Sequence, residues 1–244
     1  MAQGSLLRKY LGDRRFLLML PRAVTLQVLH PGIAAALDAH APNQLWHHKK
    51  RAVTHMIGLA YSEADPRPVI RFAHEHITGT DETGRRYHAL RPDLFFFQHA
   101  TYVESLVTAI NTFAKPLEPA AYEQLYRECC EWYERYGISS RMMPTTWDGF
   151  TAYFAEVCAN ELTVTAEGAR LLPLALRPNA WIPSLVPDAG IRGIQHARAR
   201  ELLGMDQTPW QKTAFALYAT TVRTCCAASP RLVRLIPGAR RVPG

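Results

Sequence analysis

Strict alternation of apolar and polar residues is almost absent from this sequence, which removes the sheet-built classes, because a half-buried strand needs period-two patterning. Long hydrophobic runs are missing too. The apolar stretch Phe16 to Leu20, flanked by Arg14, Arg15 and Arg22, is too short to span a bilayer and is followed by no small-residue cleavage site. The expectation is a cytoplasmic protein whose basic, apolar N-terminal helix leaves peripheral membrane contact open. Cysteine is scarce and badly spaced for bridging. Cys129 and Cys130 are adjacent, as are Cys225 and Cys226, and Cys158 stands alone. Without a C-x-x-C element, neither a disulfide frame nor a zinc site is expected. The chain also has no G-x-S-x-G, no H-E-x-x-H, no glycine-rich phosphate loop and no dinucleotide fingerprint, and no paired E-x-x-H motifs for a di-iron bundle.

What is present is an ordinary globular balance, 48% hydrophobic and 20% charged over 244 residues. That suits a single domain spanning 1–244 with a core large enough to enclose a cofactor. The net charge of +7 comes from scattered arginines, with no aromatic-interleaved basic stripe, so no nucleic-acid partner is expected. Apolar residues recur at three and four positions, which predicts an all-α fold. Helices are expected at Met19–Leu29, Ile33–Leu37, Trp46–Ala60 and from Asp65-Pro66 to Thr78, with Gly79 as a stop. Others are expected from Pro92 to Phe113, at Pro119–Tyr136, Trp147–Leu162 and Ala166–Leu176, and from Thr208-Pro209 to Ala227. Thr80 to Gly84 reads as a polar turn joining two short extended pieces, and Arg177 to Pro187 as a surface loop.

Histidine is abundant: ten residues, eight of them before position 90. Ile70, His74 and Ile77 share one helical face, whereas His76 points about 200° away. An imidazole among aliphatic side chains suits an axial ligand of haem iron; the alternative is a core histidine satisfied by a backbone carbonyl. Arg51 and Thr54, three apart with Lys50 beside them, pair a guanidinium with a hydroxyl able to orient an anionic oxygen. The alternative there is a solvated basic face. Phe95, His99, Tyr102 and Leu106 form a stripe with two polar tips, either core packing or cavity lining. Glu104 falls off that stripe, as a solvated or helix-pairing charge.

The run from His30-Pro31-Gly32-Ile33-Ala34-Ala35-Ala36 to His40 resembles the opening element of the mpaB/rubber-oxygenase catalytic domain. His74-Glu75-His76-Ile77-Thr78-Gly79-Thr80-Asp81-Glu82-Thr83-Gly84-Arg85-Arg86-Tyr87-His88-Ala89-Leu90 is similar to the family's H-x-x-V-x-G-T-D-x-x-G-R-x-Y-x-A-L signature. Gln98 to Ser105 and Trp147 to Phe150 fit later elements, so the likeness covers about residues 15 to 240. The resemblance implies a globin-like helical fold binding b-type haem, with His74 as proximal iron ligand and Lys50, Arg51, Thr54 and His99 around the cofactor. It further implies dioxygen as co-substrate, a lipophilic, isoprenoid-like alkene as substrate, and catalytic roles for Arg51 and Thr54. Position 53, commonly basic in the family, is Val53. Two other classes stay open: a haem carrier or sensor without turnover, and a haem-free helical lipid-binding protein.

Overall fold

Helix starts are written in short polar side chains. Asp13, Thr146, Thr165 and Thr208 each accept a backbone N–H from the first turn that follows, and Thr208 with Gln211 forms a reciprocal capping box. The computed structural model describes residues 4–41 and 43–239. It places helices α1 at Leu6–Tyr10, α2 at Arg14–Val28, α3 at Pro31–His40, α4 at Leu45–Tyr61 and α5 at Arg67–His74. A hairpin of β1 (Thr78–Thr80) and β2 (Arg86–His88) follows. Then come α6 at Pro92–Phe113, α7 at Pro119–Glu134, α8 at Trp147–Asn160 and α9 at Ala166–Leu176. The chain continues through α10 at Asp188–Ile194, α11 at Ala197–Leu202, α12 at Pro209–Ala228 and α13 at Arg231–Arg234. The all-α expectation holds, with the hairpin the one sheet among the described residues.

Two expectations need correcting. The helix beginning near Asp65 ends at His74 rather than Thr78, because Thr78-Gly79-Thr80 pairs antiparallel with Arg86-Tyr87-His88. Gly79 is therefore no helix stop. The Tyr87 ring lies over it, and a Cβ at residue 79 would sit 2.5 Å from Tyr87 Oη, so only glycine admits the approach. The second concerns the N-terminal apolar helix, which sits inside the fold: Phe16, Leu17, Met19 and Leu20 of α2 are all buried. No single helix among the described residues is long and apolar enough to cross a membrane, and α2 with α3 passes that test only as a pair bent by 105°.

The centre is α2 packed along α6, with α3, α9 and α10 also against α2. Across the α2–α6 contact Arg22 Nε donates to Glu104 Oε2 at 2.7 Å, and Arg22 Nη1 donates to the Ile194 carbonyl. Glu104 is thus a helix-pairing charge rather than a solvated one. Burial alone would push its carboxyl up, yet the Arg22 guanidinium outweighs that and holds it below the usual range. A group depressed in this way stabilises the fold above its unfolded pKa, and the contribution is lost as pH falls through the folded value. Glu104→Ala, which strands the Arg22 cation, should cost about 3–5 kcal/mol. Urea midpoints check both statements: the gap between wild type and Glu104→Ala should be full at pH 7 and shrink as pH falls below the ordinary carboxylate range.

Candidate functional site

The helices that meet beside α2 leave a cavity of about 390 Å³, within the roughly 300–1,000 Å³ of small-molecule and cofactor sites. Its apolar wall comes from Ile33 and Leu37 on α3, Met56 and Leu59 on α4, Val69 and Ile70 on α5, Ile77, and Leu94 and Phe95 on α6. Its polar lining is His40, His48, Lys49, Arg51, His55, His74, Gln98, His99, Tyr102 and Tyr136, with no carboxylate among them. A second groove, of about 690 Å³, lies between α6, α8 and α11 and is more open to solvent. None of the site residues expected from the sequence borders it. It carries Glu104 and Glu201, the first already bound to Arg22.

His74 sits at the end of α5, its Nδ1 2.8 Å from the Ile70 carbonyl oxygen. A carbonyl only accepts, so Nδ1 carries the proton and Nε2 keeps its lone pair. This is the second-shell arrangement that orients metal-ligating histidines. Burial lowers the His74 pKa, the Ile70 carbonyl partly restores it and Lys49 lowers it again. The ring is therefore neutral at pH 7, the form that donates to iron. The Phe95 ring meets it edge-on at 5.4 Å. His76, by contrast, has a side chain 86% exposed.

His99 is 4% exposed and lies among Phe96, Trp132, Tyr133 and Tyr136. Neither of its ring nitrogens makes a well-formed hydrogen bond. Burial pushes its pKa down to about 3, with a small opposing pull from the Cys129 backbone. A buried polar group without a well-formed partner calls for an explanation, and this one lines the cavity.

The structure separates the remaining expected residues. Arg51 borders the cavity, whereas Lys50 and Thr54 are exposed and lie outside its wall. Beside Arg51, the α4 residues that border the cavity are His48, Lys49, Ala52, His55, Met56 and Leu59, of which Ala52 and His55 are also exposed to solvent. Val53 is fully buried in the main core and does not line the cavity. Of the two histidines opening the HP run, His40 lines the cavity, while His30 packs on Phe97 and borders a separate recess.

The most specific string divides between chemistry and scaffold. Asp81 Oδ1 accepts from the Thr83 and Arg85 backbone N–H groups and from the Thr83 hydroxyl, closing the hairpin turn. Gly84 takes φ +80° there, a conformation that side chains with a Cβ rarely adopt. Tyr87 covers Gly79. The hairpin thus fixes the chain leaving α5, and His74, Ile77 and Ala89 are the parts of the string that reach the cavity. A family model matches residues 8–224. The chain belongs to the family described as ER-bound oxygenase mpaB/B'/Rubber oxygenase, catalytic domain. No curated protein and no solved structure matches the chain. Membership in this oxygenase family supports an oxidoreductase.

The fit to a b-type haem is a question of donors. Among the described residues no group of three or more His, Cys, Asp or Glu is arranged to hold a free metal ion. A porphyrin asks less of the protein, since it brings its own four nitrogens and needs one axial side chain. His74 meets that need with a free Nε2, an apolar wall beside it and basic groups suited to propionates. The residues present fit the group.

Proposed function

We propose that the cavity binds b-type haem through His74 and that the protein is an oxygenase acting with dioxygen on a lipophilic, alkene-like substrate. The observation that supports this most is the His74 tautomer, set by Ile70, on the wall of an apolar cavity. When bound, haem would supply the iron that activates dioxygen. The chain's own residues do the rest. His74 holds the cofactor, and Ile70, Ile77 and Phe95 give its flat body an apolar surface. The rings around His99 keep water from that end of the cavity, which protects reactive oxygen species from quenching. Arg51, at the cavity edge, brings N–H donors to a developing negative charge. Thr54, exposed on α4, has no such reach.

Reconstitution with hemin tests the reading. A Soret band and dioxygen uptake with isoprenoid alkenes are expected, and absence of the band would overturn it. Arg51→Ala should keep the band and lower turnover about 10²-fold, as loss of one oxyanion donor does elsewhere. Thr54→Val should change neither. A carrier or sensor is the second reading, favoured by Val53 where the family is commonly basic. It predicts the same band with no substrate-dependent dioxygen uptake.

A further inference from the structure

Lys49 is 1% exposed, lines the cavity, and lies within ion-pair distance of no carboxylate among the described residues. The fold treats its other deep cations differently. Arg15 is paired with Asp13 and Arg22 with Glu104. Burial without a counter-ion lowers the Lys49 pKa to about 7, because a buried cation costs several kcal/mol unless it is paired; the exception calls for a physical reason.

The Lys49 amine is positioned rather than loose. Its Nζ donates to Gln27 Oε1 at 2.6 Å, Gln27 Nε2 donates to Thr101 Oγ1 at 2.7 Å, and Thr101 Oγ1 donates to the Gln98 carbonyl at 2.7 Å. Gln27 and Thr101 are both fully buried. The chain of donors is therefore directional: it ends on a backbone acceptor and fixes which Gln27 atom faces the lysine. When the amine is protonated, one of its three donors is used, and an incoming carboxylate would favour that form. The other polar groups of the cavity it borders include His48, Arg51 and His55 from α4, His40 from α3, and His74 from α5. All are basic or neutral. A cavity with apolar walls, a fixed buried amine and no acid is complementary to an apolar molecule bearing an anionic group.

We propose that Lys49 is the receptor for a carboxylate carried by the cavity's ligand, either a haem propionate or the acid group of an amphiphilic substrate. This deepens the haem reading but shares with it only the cavity. The test measures Kd for two matched pairs, hemin against hemin dimethyl ester and decanoate against decanol, on wild type and on Lys49→Met. Wild type should prefer the acid of at least one pair by about tenfold or more, the range of a buried charge-assisted hydrogen bond. In Lys49→Met that preference should fall to near one while the neutral partner's Kd stays within about twofold. A preference confined to hemin identifies the propionate, and one confined to decanoate identifies the substrate; both support the proposal. Should Lys49→Met fail to fold, Lys49→Gln carries the comparison. Equal binding within both pairs, or a preference that survives the loss of Lys49, overturns it. Failure of the haem reading looks different: hemin then gives no His74-dependent band, whatever the decanoate pair does.

Discussion

Replacing His74 with Ala should abolish the Soret band of hemin-loaded protein, or leave a broad spectrum of unspecific porphyrin that gel filtration removes. The argument starts at Ile70, whose carbonyl takes the Nδ1 proton at 2.8 Å and so leaves Nε2 as the lone pair on offer. No other histidine of the cavity is set in this way. His55 also bonds a carbonyl one turn back, that of Arg51, but its side chain is exposed. His99 is buried with no well-formed hydrogen bond at either nitrogen, only a small pull from the Cys129 backbone, and burial lowers the His48 pKa to about 4 without an orienting acceptor. Iron–imidazole ligation supplies much of the affinity that separates specific from greasy binding, so a loss of about 10²-fold or more in hemin affinity is expected, matching what removal of metal-site partners does. His76→Ala, whose side chain stands in solvent, should bind hemin as wild type does. Imidazole added to His74→Gly should restore part of the band, because the vacated volume admits the free ring. Full hemin binding by His74→Ala in a visible and pulldown titration would remove this residue as the ligand and send the assignment to His99.

Much of this was legible because it is local. Thr165 before Ala166 and Thr208 before Pro209 mark helix starts that the structure reproduces, since a cap needs only the residues next to it. Ile70 and His74 were readable as one helical face for the same reason; Ile77 lies past the end of α5, yet all three residues line the cavity. Lys49 was hidden by its neighbours. In a run of His47, His48, Lys49, Lys50 and Arg51 the reasonable reading is one solvated basic face, yet Trp46, Lys49, Val53, Ile57 and Ala60 fall at three- and four-residue spacing and are all buried. That stripe was the available signal, and it moves the interior lysine from position 50 to 49. Other features had no local signal. Arg22 and Glu104 are 82 positions apart, so their pairing exists only in the packed helices. The short α10 went unread because its glycines argue against helix on their own. In the fold Gly193 is required by α12, as the Phe215 ring occupies the place of a Cβ.

The same local reading leaves α5 in an unusual position, and a second large effect follows from it. No residue of α5 is buried, Phe72 is 80% exposed and Val69 47%, while Ile70, Ala73 and His74 face the cavity. A helix of eight residues is too short to hold itself in water, so its stability has to come from what it packs on. Ile70 packs on the core and His74 on Phe95; on the haem reading the remaining partner across the cavity is the cofactor. Hydrogen exchange of the backbone amides near residues 70–77 should therefore be fast in the hemin-free protein. A cofactor that binds the folded helix at a hundred times its Kd adds about 2.7 kcal/mol, enough to slow exchange about 10²-fold where local opening governs it. The amides of α6 around Thr101 and Val103, deep in the core, should hardly change. His74→Ala should show the fast pattern with or without hemin, since on the haem reading that one side chain ties the helix to the cofactor. Equal exchange across α5 in free and loaded protein would mean that the helix owes its order to the protein alone, and that the apolar face it turns inward is not completed by a ligand.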